Sequence, residues 1–279
     1  MGMLSINTNV GALRAADSAH SINKSMETSM QRLSSGKRIN SAIDDAAGLQ
    51  ISQRMTAEIR GLNQAARNAA DGQSLLATAE GAMAEIHNIL QRLREIAVEA
   101  ASGTNAAADR NALQSEAQAL ENEIDRIKDD TTWAGIALTN ETQDSGVFTF
   151  HIGPDGSDTI KHTIPSFFHQ HTAIGLSTGH TVSTLAKANT YITAIDGAIS
   201  RVGTEREQAG AVMNRLDYTM ANLSNMSTNL SVARGRIEDA DFAKESARLT
   251  KAQILQQSAM AMIAQAGKAQ QNVLQLLQN

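Results

Sequence analysis

Histidine is the residue type in this sequence whose number and spacing come closest to a chemical site. Five of the seven histidines fall within thirty residues in the middle of the chain: His151, His162, His169, His171 and His180. Zinc needs three or four converging donors, and the chain contains neither a His-Glu-x-x-His sequence nor any cysteine. We therefore predict surface histidines without a metal ion, and no disulfide or thiolate site.

The other polar clusters offer no catalytic arrangement. The acidic segment 237–241 lacks the twelve-residue loop and closing glutamate of a calcium site, so its carboxylates are expected to start the last helix, where negative charge is favoured. A phosphate loop of the form G-x-x-x-x-G-K is absent, and no Ser-His-Asp set has local support. The sequence predicts a protein that is not an enzyme and takes no cofactor.

Composition excludes further classes of function. The net charge is −5 and no basic run could follow a phosphate backbone, so nucleic acid is not an expected partner. No apolar stretch reaches the roughly 18 residues of a membrane span, so membrane insertion is not expected. The first residues lack the basic start and apolar core of a cleavable signal peptide. Aromatic residues make up only 3% of the chain, which indicates closely packed helices with an aliphatic core.

Long helices are expected to position these residues. They lie on both sides of a middle segment that has a different sequence pattern. Pro154 and Pro165 are the only prolines, so both flanks lack the strongest helix breaker. Apolar residues there recur at the alternating three- and four-residue spacing of a coiled coil. Before a predicted turn at 102–105 they are Met83, Ile86, Leu90, Leu93, Ala97 and Ala100. After it they are Leu113, Ala117, Leu120, Ile124 and Ile127. In the second flank they are Ala209, Val212, Leu216, Thr219, Leu223, Met226, Leu230, Ala233 and Ile237.

Two further stripes lie near the chain ends. On a helix predicted for residues 8–33 and stopped by Gly36, the stripe is Ala12, Ala15, Ala19, Ile22, Met26, Ser29 and Leu33. On the last helix it is Ala252, Leu255, Ala259, Met262, Ala266, Ala269, Val273 and Leu276. Apolar side chains at chain ends are a solubility liability unless something covers them. They either dock on the protein's own body, or both terminal helices are unpaired in the monomer and become buried in a polymer.

The middle of the chain predicts a β-hairpin. Apolar side chains and one histidine alternate with polar ones on both sides of a Gly-Pro-Asp-Gly turn at 153–156. The alternating positions are Phe148, Phe150, Ile152, Ile160, His162 and Ile164. We expect His162 to share a face with Phe150, and residues 165–184 to form surface loops. The predicted fold class is mainly α, a long antiparallel helical bundle or coiled coil with a small β-hairpin region in the middle.

Several segments resemble the bacterial flagellins. They are residues 5–9, 33–40, 44–49, 90–95, 231–241, 251–257 and 272–274. Together they cover nearly all of 3–140 and 195–279, in the order found in that family, whereas 165–187 has no match. The family often has Phe-Asn-Gly where this chain has Trp133, Ala134 and Gly135, so the local turn is expected to lose an amide hydrogen bond. The short middle indicates a form that lacks large outer domains.

The resemblance implies how the chain is organised. Residues 1–42 would form the N-terminal helix of an inner coiled-coil domain and 237–279 its C-terminal helix. Residues 43–140 and 191–236 would form the two parts of a helical bundle, and 141–190 the hairpin and variable loops. The implied function is that of a structural subunit that polymerises into the flagellar filament for motility. It would be exported through the flagellar secretion channel and lie outside the cell, without a cleavable signal peptide.

The resemblance also implies two sets of site residues. The residues implied to mediate polymerisation lie on the terminal helices: Ile22, Met26, Leu33, Leu255, Met262, Val273, Leu274, Leu276 and Leu277. The residues implied to bind the innate immune sensor Toll-like receptor 5 are Gln91, Arg92, Ile96 and Glu116. The implied partners are further copies of the chain, an export chaperone, the filament cap and the hook–filament junction proteins.

Other readings of the sequence remain open. A hook–filament junction protein would share the terminal helices. A secreted helical coiled-coil protein that signals or forms pores would also need long apolar stripes, although the central hairpin counts against it. An enzyme built on the histidine-rich middle ranks last.

Overall fold

The computed structural model describes residues 8–138, 146–164 and 181–278, with backbone alone at 270 and from 272 onward. Five long helices dominate it, and the predicted mainly α fold is confirmed. The helices are α1 Val10–Ser35, α2 Ala46–Ala100, α3 Ala107–Asp130, α4 Leu185–Glu238 and α5 Phe242–Gln278. The strands are β1 Thr132–Trp133, β2 Ile136–Ala137, β3 Val147–His151 and β4 Thr159–Thr163.

The chain divides into two compact units. Residues 1–57 and 229–279 form one, called here the terminal unit, and residues 58–228 form the other, called here the central unit. The divisions lie within α2 and α4, whereas the sequence suggested boundaries near residues 42 and 236. Both helices continue across the division without a helix-breaking residue, so the spacing of apolar residues does not indicate where one unit ends and the other begins.

The helix ends of the terminal unit follow from capping residues. Gly36 ends α1 in the left-handed conformation, at φ 69°, so the predicted stop is confirmed. Asp45 caps α2 by accepting a hydrogen bond from the Gly48 N–H at 2.8 Å. Asp241 caps α5 in the same way, accepting from Lys244 N–H at 3.1 Å. Glu238 belongs instead to the end of α4, which corrects the expectation that all acids of 237–241 begin the last helix.

Backbone hydrogen bonds join the two connectors between these helices. The Arg38 N–H donates to the Glu238 carbonyl at 2.6 Å, and the Ala240 N–H donates to the Gly36 carbonyl at 3.0 Å. The Lys37 ammonium lies 2.5 Å from a Glu238 carboxylate oxygen. The charge of Glu238 is therefore used to hold the connectors together.

The central unit has a core of large aliphatic side chains. The first predicted stripe of α2 is fully confirmed, because its six residues from Met83 to Ala100 are at most 2% exposed. Ala117 and Ile124 of α3 and Leu216 of α4 join the same cluster. The predicted turn after α2 is present, so α3 returns along α2. An ion pair between Arg92 of α2 and Glu116 of α3 joins the two helices.

The predicted hairpin is confirmed as β3 and β4. The strands pair antiparallel, with Phe148 opposite His162 and Phe150 opposite Ile160, and these four side chains are buried on one face. The hairpin packs on α2 at Gly72, where an added Cβ would come within 2.6 Å of the Phe150 ring. A side chain at this helical position would collide with the hairpin, so a glycine is required.

A second, smaller hairpin was missed by the sequence analysis. Its strands β1 and β2 pair through Trp133 and Ile136 around the two-residue turn Ala134–Gly135. Both turn residues have positive φ, 49° for Ala134 and 82° for Gly135, which is the pattern of a type I′ turn. Alanine is disfavoured at such a position, so the residue type did not indicate a turn of this type.

Candidate assembly interface

Helices α1 and α5 pair antiparallel within the terminal unit. Asn9 Nδ2 donates to the Ala266 carbonyl at 3.0 Å, and Gln256 Nε2 donates to Asn23 Oδ1 at 2.9 Å. As the residue number rises along α1, the number of the partner falls along α5. The predicted alternative in which both terminal helices are unpaired in the monomer is therefore wrong for the described residues. The two helices cover one face of each other.

The α1 side of this pair follows the predicted stripe. All seven predicted positions are buried or half-buried: Ala12, Ala15, Ala19, Ile22, Met26, Ser29 and Leu33. Most of these side chains are small or only partly covered, so the seam buries far less apolar area than the central core. Ile22 faces Ala252 and Leu255 across a groove of about 290 Å³.

The α5 side differs from the predicted stripe at three positions: the residues after Leu255 and Met262 are covered in their place, and Ala269 is exposed. The covered positions alternate by four and three residues: Glu245, Leu249, Ala252, Gln256, Ala259, Ile263 and Ala266. Leu255 and Met262 were predicted in the seam, yet they are 43% and 65% exposed. Because α5 is apolar on nearly all sides, more than one stripe has coiled-coil spacing, and polar contacts select among them. Val273, Leu274, Leu276 and Leu277 lie outside the described side chains.

A buried carboxylate fixes the register of the pair. Glu245 is 4% exposed and accepts hydrogen bonds from Ser29 Oγ at 3.1 Å, Arg32 Nη1 at 3.4 Å and Arg248 Nη1 at 2.6 Å. Burial alone would raise the pKa of Glu245, but Ser29, Arg248 and Arg32 outweigh it and lower that pKa. Glu245 is the one acidic residue in the sequence of α5, and this was the sequence signal that could have identified it.

The outer face of the terminal unit leaves large apolar side chains exposed. They are Val10, Leu13, Met30, Phe242, Ile254, Leu255, Met260 and Met262. A helix that is apolar on several sides is normally enclosed by protein, so these exposed side chains indicate an interaction surface. Within the described ranges, no helix combines the length and apolarity needed to cross a bilayer.

The residues assigned to receptor recognition lie on α2 and α3 of the central unit. Arg92 Nη2 lies 2.7 Å from a Glu116 carboxylate oxygen, and Arg92 Nη1 lies 2.9 Å from Glu95. The hydrogen bond to Glu116, followed by that to Glu95, raises the pKa of Arg92. Gln91 is exposed beside His87. Ile96 is fully buried in the core, so its predicted place on an exposed recognition patch is wrong.

The histidines do not form a metal centre in the part of the chain that the structure describes. No three His, Asp or Glu side chains converge there as metal ligands. His151 is exposed, but His162 is 7% exposed on the inner face of the hairpin, which corrects the prediction of surface histidines. Burial lowers the pKa of His162. His169, His171 and His180 lie outside the described residues.

Comparison with known proteins gives the same assignment at both chain ends. The family model for the bacterial flagellin N-terminal helical region matches residues 6–144, and that for the C-terminal helical region matches residues 192–277. A flagellin from Halalkalibacterium halodurans is 42% identical over 278 residues, covering 98% of this chain and 99% of that protein. A flagellar filament 33 kDa core protein from Treponema phagedenis is 39% identical over 285 residues, again covering 98% and 99%.

A solved structure shows the same fold at lower identity. It is that of a putative flagellar hook-associated protein from Vibrio parahaemolyticus, with a TM-score of 0.59 and 16% identity, covering 70% of this chain and all of that one. This likeness shows the fold alone and does not favour the hook–filament junction alternative. The two matched helical regions and the identity over nearly the whole length show that this chain belongs to the bacterial flagellin family.

Proposed function

We propose that this chain polymerises into the flagellar filament through the apolar outer face of its terminal unit. Membership of the flagellin family makes it a structural subunit of an extracellular filament. The observation that carries the proposed interface is the exposure of Ile254, Met260 and Met262 on a helix that is already paired with α1 through other positions.

The energy of assembly then comes from the second face of α5. The pairing of α1 and α5 uses small side chains and polar contacts such as that between Asn23 and Gln256, and it leaves the larger apolar groups uncovered. Burying apolar surface contributes about 25 cal/mol per Å², so several such side chains per subunit supply a substantial driving force. A head-to-tail contact that does not close produces a helical filament.

Deletion of residues 251–279 tests this proposal. The truncated chain keeps the central core and is expected to stay soluble and helical, but to form no filaments by electron microscopy after seeding with filament fragments. A Tyr218→Ala variant is the matched control, because Tyr218 is exposed on the central unit and its loss is expected to leave polymerisation intact. Normal filaments from the truncated chain would refute the terminal-unit interface.

A point variant sharpens the same test. Met262→Asp places a charge on the exposed face, where Met262 is 65% exposed and makes little contribution to the folded monomer. Burying an unpaired charge is costly, so the variant is expected to fold normally by circular dichroism and to polymerise at least about tenfold less readily. Polymerisation at the wild-type concentration would place the interface elsewhere.

The finer assignments are part of the same proposal. The chain passes unfolded through the flagellar secretion channel, with an export chaperone bound to the C-terminal helix, and it contacts the filament cap and hook–filament junction proteins.

Recognition by Toll-like receptor 5 uses Gln91, Arg92 and Glu116 at the surface, with Ile96 supporting them from the core. Receptor signalling that is unchanged in an Arg92→Ala, Glu116→Ala double variant would refute this site.

A further inference from the structure

The described methionines of this chain range from buried to largely exposed. Met83 lies in the core of the central unit and is 2% exposed, whereas Met30, Met260 and Met262 of the terminal unit are 54%, 62% and 65% exposed. Met226, on α4 of the central unit, is 40% exposed. Three thioethers therefore lie open on the helices to which we assign assembly.

We propose that Met30, Met260 and Met262 are oxidation sites that switch off polymerisation of the free subunit. The inference rests on the proposed function, because it concerns the exposed sides of the same two helices, α1 and α5. The co-reactant is a two-electron oxidant of the peroxide class. A lone pair of the methionine Sδ forms an S–O bond as the O–O bond of hydrogen peroxide breaks, and the oxygen now bonded to sulfur gives up its proton to the departing hydroxide, which leaves as water. The sulfur is oxidised by two electrons to the sulfoxide, and the peroxide is reduced.

The effect on assembly follows from the polarity of the product. Methionine sulfoxide carries a strong hydrogen-bond acceptor where the thioether carried none of comparable strength. In the monomer the new oxygen of Met260 or Met262 faces solvent and is hydrated. In the polymer it would be buried on an apolar face, where an unsatisfied polar group disfavours the contact. Oxidation therefore weakens association while leaving the folded subunit intact.

The same geometry makes the response depend on the state of assembly. Side chains exposed in the free subunit react, whereas those enclosed by neighbouring subunits are shielded from the oxidant. Met83 provides an internal reference, because its burial protects it in both states. The sulfoxides are reversible by the two methionine sulfoxide reductases, one for each epimer, so the block on assembly is reversible as well.

The test compares two leucine variants of the full chain before and after peroxide treatment. Leucine is close to methionine in volume and apolarity but has no sulfur to oxidise. The triple variant Met30→Leu, Met260→Leu, Met262→Leu removes the proposed sites, and Met226→Leu removes an exposed methionine outside the terminal unit. Peptide mass spectrometry records which sulfurs are oxidised, and seeded assembly gives the concentration needed to polymerise.

Peroxide is expected to raise that concentration by about tenfold or more for the wild type and for Met226→Leu, and by less than about twofold for the triple variant. Treatment of the oxidised wild type with both sulfoxide reductases is expected to restore assembly. This measurement tests the proposal even if the triple variant polymerises poorly without peroxide. Oxidised wild type that polymerises normally, or a loss of assembly that the reductases do not reverse, would overturn the inference. Untreated protein distinguishes this result from a failure of the proposed interface. If the terminal unit is not the interface, the untreated chain lacking residues 251–279 would polymerise.

Discussion

Ile22 and Leu93 occupy equivalent positions on two predicted apolar stripes, yet their surroundings differ. Leu93 is fully buried among the helices of the central unit, whereas Ile22 is half-buried in the seam between α1 and α5. The central unit encloses its large aliphatic side chains within one chain. The terminal unit covers one face with small residues and leaves larger ones, including Met262, exposed. The central unit completes its core alone, and the terminal unit leaves apolar side chains that, under the proposed function, further copies cover.

Electrostatic contacts show a related difference. In the terminal unit, Glu245 is buried and shared by Ser29, Arg32 and Arg248, so a polar contact sets the register where apolar packing is thin. In the central unit the ion pairs, such as that between Arg94 and Asp196 at 2.6 Å, are half-exposed at the edge of a core that already specifies the register. Exposed pairs of this kind contribute little stability.

The largest effect expected within one unit comes from Gly72→Ala. The new methyl group would lie 2.6 Å from the Phe150 ring, so the hairpin must shift and the central unit is expected to lose about 1–3 kcal/mol of unfolding free energy. Gly81→Ala is the matched control on the same helix, because no atom lies within 4 Å of the added Cβ. That substitution is expected to stabilise by about 0.5–1 kcal/mol. Equal effects in urea denaturation would contradict the close approach at Gly72.

A smaller effect is expected at the Ala134–Gly135 turn, whose backbone conformation was not predicted from the sequence. Ala134 has φ 49°, a conformation that costs an alanine about 1 kcal/mol or more and that asparagine or glycine adopts more readily. Ala134→Asn is therefore expected to stabilise the central unit by about 0.5–1 kcal/mol in urea denaturation. Ala137→Gly in the neighbouring strand is the control and is expected to destabilise. Destabilisation by Ala134→Asn would show that the turn does not have this conformation.

The smallest effect is a pH dependence that separates the units. Burial lowers the pKa of His162 below its ordinary 6.5, so the unfolded chain binds a proton more readily than the folded one. The central unit is expected to lose stability as the pH falls from about 6.5 through the lowered folded pKa. The pKa of Glu245 is also lowered, but its ordinary value is 4.5. The stability that Glu245 contributes to the terminal unit is therefore retained until the pH falls below about 4.5.

A variant isolates the histidine contribution. His162→Leu removes the titrating ring and keeps an apolar side chain beside Phe148 on the buried face of the hairpin. Urea denaturation at pH 7.5 and pH 5.5 should show a smaller loss of stability on acidification for this variant than for the wild type. An identical loss in both would mean that other groups govern the pH response. Glu205, whose pKa is raised by burial, acts in the opposite direction in both proteins and cancels in the comparison.

The core of the central unit could be predicted from the sequence because large aliphatic residues recur at coiled-coil spacing. Met83, Ile86, Leu90 and Leu93 mark the stripe on α2, although Ile89 and Ile96 beside it also pack in the core. The alternation around 153–156 is clear enough to place the hairpin strands. The conformation at Ala134 could not be predicted, since alanine is not a residue that favours positive φ.

The terminal unit was predicted less accurately for a physical reason. Helix α5 carries Leu255 and Met262 beside Gln256 and Ile263, so spacing alone cannot distinguish which set faces α1. The polar contacts of Asn23 and Glu245 select the second set. Ile96 shows another difficulty, because the family resemblance assigned it to a recognition surface and the predicted stripe did not include it, whereas its side chain is fully buried in the core.

The most direct test of the account is the accessibility of position 262 in the two states. The chain has no cysteine, so the thiol introduced by Met262→Cys can be labelled without background, and that introduced by Met83→Cys supplies the reference for a buried site. We expect fast labelling at position 262 in the monomer, and in filaments a fall to the slow rate seen at position 83. Labelling at position 262 that stays as fast in filaments as in monomers would contradict the claim that the outer face of the terminal unit holds the filament together.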